Sequence, residues 1–311
     1  MDKKITIVIP YLNEKTEILE TIKSIYKTID ISDFSIIAID DCSKETIDLK
    51  QFKNVKSIRN AQRMGVDGCR QMGVDLSETD YVLILDAHMR FKQDNWASKM
   101  IKYIDENPRT LWCTVCLGLG YGTLDVNNHK GKYFGADIKL YTPKEKDRPC
   151  RQIIEPVWAS EKEDREYLIQ CILGANYFFN KRWFTYIGGL RGLKSWGTSE
   201  PWLSIKSYLA GGDCKITKEI EIGHLFRDNA PYSTVIADLV YNKLYVLKTI
   251  FPKEIEDKLM VHVPKDVSFR VATKDIEKDK IKIAIDKEYY QKIFKSSIYD
   301  LCQRFDIKLP E

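Results

Sequence analysis

Neither a membrane anchor nor a secretion signal is expected from this sequence of 311 residues. Its amino terminus, MDKKITIVIP, begins an apolar strand almost at once and breaks it at Pro10, which leaves too little room for either feature. We therefore expect a protein without a transmembrane segment, and a cytoplasmic location is the simpler interpretation. Internal repeats and low-complexity segments are also missing, which excludes solenoid and fibrous architectures.

A strong charge of one sign is missing as well. Lys plus Arg number 49 and Asp plus Glu number 45, so the formal net charge is only +4. This balance does not indicate a nucleic-acid partner by itself, and the carboxyl terminus carries no polybasic tail. The charge of the chain therefore does not predict its partner.

Cysteine is present, with eight residues, but it does not form the pattern of a disulfide scaffold. The cysteines are scattered and mostly lie beside apolar residues, which is typical of reduced, buried thiols. Cys113 and Cys116 have the CxxC spacing of a zinc site, but no second CxxC follows. Residues i and i+3 of a strand also point to opposite faces, so we predict ordinary core cysteines here.

Alternating strand and helix patterns dominate the first half of the chain. At 311 residues and 44% hydrophobic, the chain is long enough for one large α/β domain with a small appendage, but not for two full-sized catalytic domains. The predicted strands are ITIVIP, FSIIAID, VKSIR and YVLILD, and the predicted helices cover about residues 14–28 and 62–76. This alternation predicts a largely parallel sheet with its site at the carboxyl ends of the strands.

Asp86-Ala87-His88 follows the apolar run Tyr81–Leu85 directly. The run predicts a buried strand that delivers a carboxylate and an imidazole to its carboxyl end. His224 stands far downstream, at the start of HLFRDNAPY. One Asp and two His form a candidate divalent-metal triad that suits Mn²⁺, because this ion accepts both oxygen and imidazole donors. Alone, D-x-H is a weak signal, since polar residues end many strands.

Three segments carry a resemblance to a known family: YVLILDAH, WGTSEPWLSIKSYLAGG (residues 196–212) and HLFRDNAPY. They resemble the nucleotide-sugar glycosyltransferases of the GT-A fold, above all the polypeptide N-acetylgalactosaminyltransferases and the wider glycosyltransferase family 2. The most specific element is the H-x-F-R-x-x-x-P-Y spacing combined with the upstream D-x-H. The resemblance implies a GT-A fold, in which a Rossmann-like, mostly parallel sheet is flanked by helices and binds a nucleotide.

The same resemblance implies an organisation for the chain. We expect a catalytic domain over residues 1–232, with a nucleotide-binding half of about 1–117 and an acceptor and catalytic half of about 118–232. Residues 118–164 are rich in Gly, Tyr, Lys and Asp with poor periodicity, so we predict strands and loops that shape an acceptor surface. Residues 233–311 are predicted to form a mostly helical C-terminal extension.

A set of nucleotide-sugar contacts is implied by the resemblance. Asp40 and Asp41 end the strand FSIIAI, where a carboxylate can accept hydrogen bonds from uracil or ribose; an Asx turn is the compatible alternative. Arg63 takes the position of a nucleotide-contacting arginine, or is a solvated helix residue. Glu14 contacts the base or simply favours the start of a helix. The full predicted set is Pro10, Tyr11, Asn13, Glu14, Asp40, Asp41, Arg63, Asp86, Ala87, Gly174, Trp196 and Tyr232.

The segment HLFRDNAPY carries further expected roles. The resemblance implies that Asp86, His88 and His224 bind Mn²⁺, with Mg²⁺ as the alternative, and that a nucleoside diphosphate shares the ion. Arg227 is expected to neutralise the charge that grows on the leaving diphosphate. Tyr232 is expected to close a loop over the nucleotide and exclude water, as the family tyrosine does.

The chain departs from the resembled enzymes at the sequence WGTSE. In the retaining N-acetylgalactosaminyltransferases, an acid stands third after the Trp and an amide fourth; inverting family 2 enzymes usually carry two acids, of which the second is the base. Here Ser199 stands third and Glu200 fourth. We therefore predict that Glu200, kept ionised at a helix amino terminus before Pro201, is the general base. A simple helix-start acid is the alternative.

The sequence thus predicts a metal-dependent enzyme that moves a sugar from a UDP-sugar to a hydroxyl-type acceptor with inversion. A retaining N-acetylgalactosaminyltransferase-like enzyme is the alternative, and an inactive nucleotide-sugar-binding module is the candidate from a different class. The acceptor stays open between a peptide, a glycan, a lipid-linked sugar and a modified DNA base, of which the small net charge disfavours DNA. Neither the sugar nor the oligomeric state follows from the sequence.

Overall fold

The computed structural model describes residues 4–120, 125–141, 153–161, 168–227 and 231–310. Parts of the predicted acceptor surface, and residues 228–230 of the HLFRDNAPY segment, lie outside the described residues. The strands are β1 Ile5–Tyr11, β2 Phe34–Asp40, β3 Val55–Arg59, β4 Tyr81–Leu85, β5 Met89–Phe91, β6 Thr110–Leu119, β7 Lys132–Tyr133, β8 Ala136–Tyr141, β9 Ile153–Trp158, β10 Asn176–Asn180 and β11 Asp213–Leu225.

The helices alternate with the strands in the first half and follow one another in the last third. They are α1 Glu17–Thr28, α2 Val66–Leu76, α3 Trp96–Glu106, α4 Lys181–Tyr186, α5 Ser199–Leu209, α6 Ile236–Ile250, α7 Lys253–Met260, α8 Val267–Lys278, α9 Lys280–Ile293 and α10 Ile298–Phe305. The structure is therefore a mixed α/β fold with a helical C-terminal region, as predicted.

The central sheet has the order β3-β2-β1-β4-β10-β6-β11-β5, and β7 pairs with β6 at its side. Strands β1 to β4 pair in parallel, as the alternation of strands and helices predicts. Strand β10 is antiparallel to both β4 and β6, whereas β11 is parallel to β6 and antiparallel to β5. Because β1, β2 and β4 run in the same direction, their carboxyl ends meet at one edge of the sheet.

Helices cover both faces of this sheet. On one face, α1 buries Ile18, Ile22 and Ile25, whose i, i+4 and i+7 spacing forms a single apolar stripe. The opposite face carries α2 and α5, and it continues into the C-terminal helices as one apolar cluster. Fully burying a side chain such as Ile22 contributes about 1.5–3 kcal/mol. The sheet is thus fixed from both sides, and its carboxyl edge is the open end.

Two helices begin later than the sequence patterns indicate. The first predicted helix starts at Glu17 rather than near residue 14, and the second starts at Val66 rather than near residue 62. Gly65 explains the second difference, because its φ of +83° is not helical and a Cβ there would meet Ser195 Cα at 2.1 Å. The segment before α2 is consequently a loop packed against the loop that precedes α5.

Six of the cysteines that the structure describes are buried, as expected for core thiols, whereas Cys42 is only partly buried. Cys113 and Cys116 lie in β6, and both are buried and free. Burial raises the pKa of the Cys113 thiol to about 12 and that of Cys116 well above its ordinary value. Within the described ranges, no helix combines the length and the apolar character needed to cross a bilayer. The predicted domain limits at residues 117 and 232 stay a prediction.

Candidate functional site

Asp86, His88 and His224 come together at the carboxyl edge of the sheet. Asp86 and His88 follow β4, and the antiparallel pairing of β5 with β11 sets His224 opposite Met89. The two Nε2 atoms of His88 and His224 lie 3.2 Å apart, and Nε2 of His224 lies 3.6 Å from Oδ2 of Asp86. One ligand atom from each of the three residues falls within 4.8 Å of the other two. The residues that sequence analysis selected as metal ligands are therefore convergent.

Glu14 supports this cluster from the end of β1. Its Oε2 lies 3.3 Å from Nδ1 of His88, and its carboxylate also receives two hydrogen bonds from the guanidinium of Arg227. Burial by itself would raise the pKa of Glu14, but the nearby His88 ring and the hydrogen bonds from Arg227 lower it below the ordinary value. Glu14 therefore stays ionised and orients the His88 ring with Nε2 toward His224.

A buried arginine supports Asp86. Nη2 of Arg70 donates to Oδ1 of Asp86 at 3.0 Å and to the carbonyl oxygen of Gly174 at 2.8 Å. Burial tends to raise the pKa of Asp86, but the nearby His224 ring and the charge of Arg70 lower it to about 2. The carboxylate is thus held ionised, with Oδ2 directed to the imidazoles.

The charge state of His224 also suits metal binding. Burial lowers the pKa of His224 below its ordinary value, against the opposing effect of Asp86. The His224 ring is therefore uncharged near neutral pH, and its Nε2 can donate a lone pair to a cation. Its Nδ1 is buried without a hydrogen-bond partner among the described residues. One carboxylate oxygen and two imidazole nitrogens that face one another form a donor set for a divalent cation.

Arg70 is the clearest functional residue that sequence analysis missed. It is only 3% exposed, and it contacts Asp67 one helical turn earlier at 3.5 Å. In the sequence RMGVDGCR, the i, i+3 pair of Asp67 and Arg70 is also what a solvated helix surface would show. Only its burial in the folded chain distinguishes Arg70 from an arginine on a solvated helix surface.

A cavity of about 320 Å³ opens beside the cluster. Most of the predicted nucleotide contacts line it, together with residues that were not predicted, such as Leu12, Val66, Ser195 and Val235. The predicted residues in its wall are Pro10, Tyr11, Glu14, Asp41, Arg63, Asp86, Ala87, His88, Trp196 and Tyr232. Its mixed apolar and charged wall is suited to a nucleotide.

Asp40 and Asp41 organise the backbone around this cavity. Oδ1 of Asp40 accepts a hydrogen bond from the Ser43 amide at 2.8 Å, which is the turn-closing role offered as the alternative. The carboxylate of Asp41 accepts from the amides of Met64 at 2.7 Å and Gly65 at 2.9 Å. Asp41 therefore shapes the loop before α2 and also lines the cavity, whereas Asp40 holds the turn after β2.

Asn13 and Tyr232 belong to the segments that close over the cavity. Asn13 accepts a hydrogen bond from the Lys44 amide at 2.8 Å and donates one to the carbonyl oxygen of Pro231 at 3.2 Å. Tyr232 follows directly and lines the cavity. Burial raises the pKa of Tyr232, and the negative charges of Asp86 and Glu14 raise it further. The end of β1 thus tethers the segment that carries Tyr232.

Glu200 and Gly174 lie in a second cavity, of about 310 Å³, which shares Arg70, Asp86 and Trp196 with the first. Glu200 is in the first turn of α5, and its Oε2 accepts a hydrogen bond from the Ser199 hydroxyl at 3.3 Å. Gly174 leaves the space that Glu200 occupies, because a Cβ at this position would lie 2.0 Å from Oε1.

Asp67 lies beneath Glu200 and was not predicted as a site residue. Burial raises its pKa to about 7; Arg70 opposes this shift, and the charge of Glu200 adds to it. A buried carboxyl of this kind next to a cavity is a common feature of functional sites. No sequence signal distinguishes Asp67 from an ordinary acid in the first turn of a helix.

Comparison with known families identifies proteins to which this chain is similar. Residues 6–156 match the model of Glycosyl transferase family 2. Human polypeptide N-acetylgalactosaminyltransferase 14 is 26% identical over 243 residues, which is 73% of this chain and 41% of that protein. Polypeptide N-acetylgalactosaminyltransferase 8 of Drosophila melanogaster is 27% identical over 241 residues, 72% of this chain and 38% of that protein. The chain thus spans about two fifths of the length of these curated relatives.

Solved structures share the fold. A crystal structure of GalNAc-T7 with UDP, GalNAc and Mn²⁺ superimposes with a TM-score of 0.70 at 18% identity, covering 98% of this chain and 59% of that one. A structure of S. aureus TarS with UDP gives a TM-score of 0.51 at 14% identity, covering 83% and 69% of the two chains. The mixed sheet with its flanking helices is therefore a GT-A fold, as the sequence predicted.

Proposed function

We propose that this chain, which carries a glycosyl transferase family 2 domain, is a metal-dependent enzyme that moves a sugar from a UDP-sugar to a hydroxyl-type acceptor. The observation that carries the proposal is the convergence of Asp86, His88 and His224 between two adjoining cavities. One cavity has a mixed apolar and charged wall that suits a nucleotide, and the other contains the carboxylate of Glu200, which we propose as the base. The ligands and the base candidate therefore face a shared space.

The metal proposed for the triad is Mn²⁺, with Mg²⁺ as the alternative. Two imidazole nitrogens and one carboxylate oxygen favour Mn²⁺, because Mg²⁺ prefers ligands that are all oxygen. Support also comes from GalNAc-T7, whose crystal structure contains UDP and Mn²⁺. When bound, the ion would neutralise the diphosphate oxygens and so assist departure of the nucleotide. Glu14 and Arg70 contribute by holding His88 and Asp86 in the orientation that binding needs.

Arg227 is proposed to stabilise the leaving diphosphate. In the structure its guanidinium is paired with Glu14, which in turn contacts His88. Glu14 alone therefore separates Arg227 from the candidate metal ligand His88. From this position the guanidinium is proposed to interact with the diphosphate. Tyr232, tethered through Pro231 to Asn13, is proposed to cover the nucleotide and exclude water.

Glu200 is proposed to act as the general base of an inverting displacement. It would accept the proton of the acceptor hydroxyl as that oxygen forms a bond to the anomeric carbon and the UDP oxygen leaves. Its carboxylate lies in the first turn of α5 and accepts a hydrogen bond from the Ser199 hydroxyl. In this scheme the donor sugar lies in the second cavity, which Glu200 and Gly174 line.

A retaining reaction is the second candidate, and the similarity to polypeptide N-acetylgalactosaminyltransferases favours it. The two mechanisms predict different products from an α-linked UDP-sugar: a β linkage if the configuration inverts and an α linkage if it is retained. The acceptor is proposed only as a hydroxyl compound, because a peptide, a glycan, a lipid-linked sugar and a modified DNA base all satisfy the same chemistry.

The test combines an activity screen with one matched pair of variants. The protein is incubated with Mn²⁺, a panel of UDP-sugars and the four acceptor classes, and products are identified by mass spectrometry. Chelation should abolish transfer and added Mn²⁺ should restore it. Glu200→Gln should lower the transfer rate by about 10² to 10⁴ while UDP-sugar binding persists, whereas Glu219→Gln, an exposed acid on β11, should behave as wild type.

Each alternative outcome has a defined meaning. Full transfer in the presence of a chelator would contradict the metal assignment. An α linkage, read from NMR coupling constants, would replace the inverting mechanism by the retaining one. Donor binding without turnover on any acceptor, and without hydrolysis of the donor, would support the inactive binding module instead.

A further inference from the structure

A single side chain of the C-terminal helical region holds the loop that leads into α5. Asn242 of α6 is completely buried. Its Oδ1 accepts a hydrogen bond from the amide of Lys194 at 2.7 Å, and its Nδ2 lies 2.8 Å from the carbonyl oxygen of the same residue. Nδ2 also lies 3.0 Å from the carbonyl oxygen of Gly197 and 3.3 Å from that of Trp196. The side-chain amide of Asn242 therefore lies within hydrogen-bonding distance of four backbone groups of the loop.

The conformation of this loop explains why it needs an external partner. Ser195, Gly197 and Thr198 all have positive φ values, of 44°, 102° and 71°. Such a backbone cannot continue a helix or strand ladder, so its amides and carbonyls have to find other partners where they are buried. Conformations of this kind persist only where the surrounding structure enforces them.

Further contacts tie the same loop to the C-terminal helices. The Ser195 hydroxyl donates to the carboxylate of Asp238 on α6. Nζ of Lys194 lies 2.9 Å from Oδ2 of Asp275 on α8. Gly197 packs against Leu239, whose Cδ1 lies 2.3 Å from the position that a Cβ would take. The loop is thus fixed at several points to the helical region.

This loop presents residues of the proposed active site. Trp196 lines both cavities, and Thr198 is the residue from which α5 begins, two positions before Glu200. Of the proposed metal ligands, Asp86 and His88 lie instead on the segment after β4, and His224 lies within β11. A displacement of the loop would therefore move Trp196 and Glu200 relative to a metal cluster that stays in position.

We propose that Asn242 is a positioning residue for sugar transfer: through its hydrogen bonds to the loop at residues 194–197 it sets Trp196 and Glu200 against the metal-binding cluster. The C-terminal helical region is on this account part of the catalytic machinery. The inference rests on the proposed function for its catalytic consequence, but the restraint on the loop is a separate physical statement that can be measured without activity.

The test uses Asn242→Leu, which keeps the branched shape of the side chain and removes every hydrogen bond that it makes to the loop. Thr249→Val is the matched control, because Thr249 is a buried polar residue of the same helix whose hydroxyl bonds only to α6 carbonyls. Amide hydrogen exchange of residues 193–200 is followed by mass spectrometry, together with the melting temperature, Mn²⁺ binding and kcat per folded molecule.

Asn242→Leu should exchange at least 10-fold faster than wild type across the loop, about the change expected when buried hydrogen bonds are lost. Its kcat should fall by roughly 10²-fold, the cost of a small misplacement of catalytic groups, while the Kd for Mn²⁺ stays within about twofold. Thr249→Val should keep the exchange and kcat of wild type even where its melting temperature falls. If Asn242 contributes to stability alone, the two variants should show the same loop exchange and the same kcat.

A second variant covers the case in which Asn242→Leu does not fold. Asn242→Ala leaves room for water to pair with the loop carbonyls, so it is expected to fold and still to exchange faster than the control. Unchanged exchange in the folded variant would overturn the proposal, as would faster exchange with unchanged kcat in an active enzyme. An inactive wild-type chain would count against the proposed function, and the exchange measurement would then decide whether Asn242 restrains the loop.

Discussion

Oε2 of Glu14 lies 3.3 Å from Nδ1 of His88, on the side of the ring opposite the atom that faces His224 at 3.2 Å. The Glu14 carboxylate therefore borders the Nδ1 side of the His88 ring and leaves the Nε2 side to face His224 and a proposed cation. It does so while also paired with Arg227, so one buried acid connects a candidate metal ligand with the cation proposed to meet the diphosphate. Outer partners of this kind tune metal sites.

We expect Glu14→Gln to weaken Mn²⁺ binding by about 10- to 100-fold, the usual effect of removing an outer carboxylate partner of a histidine ligand. Glu17→Gln is the control, since Glu17 also pairs with an arginine, Arg90, but lies in the first turn of α1. Isothermal titration with Mn²⁺ measures both. Equal affinities for the two variants would show that Glu14 does not orient His88.

Arg227→Ala should lower kcat by about 10²- to 10³-fold, as the loss of one electrostatic stabiliser of a leaving group typically does. Arg90→Ala removes a second arginine that pairs with an acid near the sheet edge, and it should leave kcat within a few fold of wild type. Steady-state kinetics and circular dichroism are measured together. A normal kcat, or loss of the fold, would remove Arg227 from its proposed role.

Gly174→Ala should impair transfer through Glu200. The added Cβ would lie 2.0 Å from Oε1, so the Glu200 carboxylate has to move. We expect kcat to fall by at least about 10-fold, since misplaced catalytic groups are costly. Gly131→Ala is the control, because a Cβ there meets only the Tyr133 hydroxyl, at 4.0 Å. If both alanine variants turn over like wild type, Glu200 is not positioned by this contact.

Asp67 should give the stability of the protein a recognisable pH dependence. Its pKa is raised to about 7 in the folded state and is 3.8 ordinarily, so between these values the folded state binds more protons than the unfolded state. The contribution of this group to the free energy of unfolding must then fall as pH rises from 3.8 to about 7, and the loss is complete above that range. The total is up to about 4 kcal/mol, at 1.36 kcal/mol per pKa unit.

Asp67→Asn removes this titration while keeping the shape of the side chain. The difference between the unfolding free energies of the variant and wild type should therefore grow in favour of the variant as pH rises through the same range. Urea unfolding at a series of pH values from 4 to 8 measures it. Parallel pH profiles for the two proteins would show that the carboxyl of Asp67 titrates normally.

The sequence by itself determined the elements that depend on local patterns. Alternating apolar runs and turn residues predicted β1, β2, β3 and β4 with α1 and α2 between them, because side-chain periodicity records which face of each element is buried. The D-x-H after β4 was recognisable as a candidate because it follows a buried strand directly, although alone it is a weak signal. Family resemblance then supplied His224 as its distant partner.

Tertiary structure decided what depends on contacts between distant segments. The pairing of β5 with β11 brings His224 to His88 across 136 positions, and no local pattern encodes that distance. Burial distinguished Arg70 from a solvated helix arginine, and hydrogen bonds to the loop before α5 distinguished Asn242 from an ordinary core polar residue. Both side chains have partners more than 40 positions away, Gly174 for Arg70 and Gly197 for Asn242, so only the folded chain could reveal what they hold.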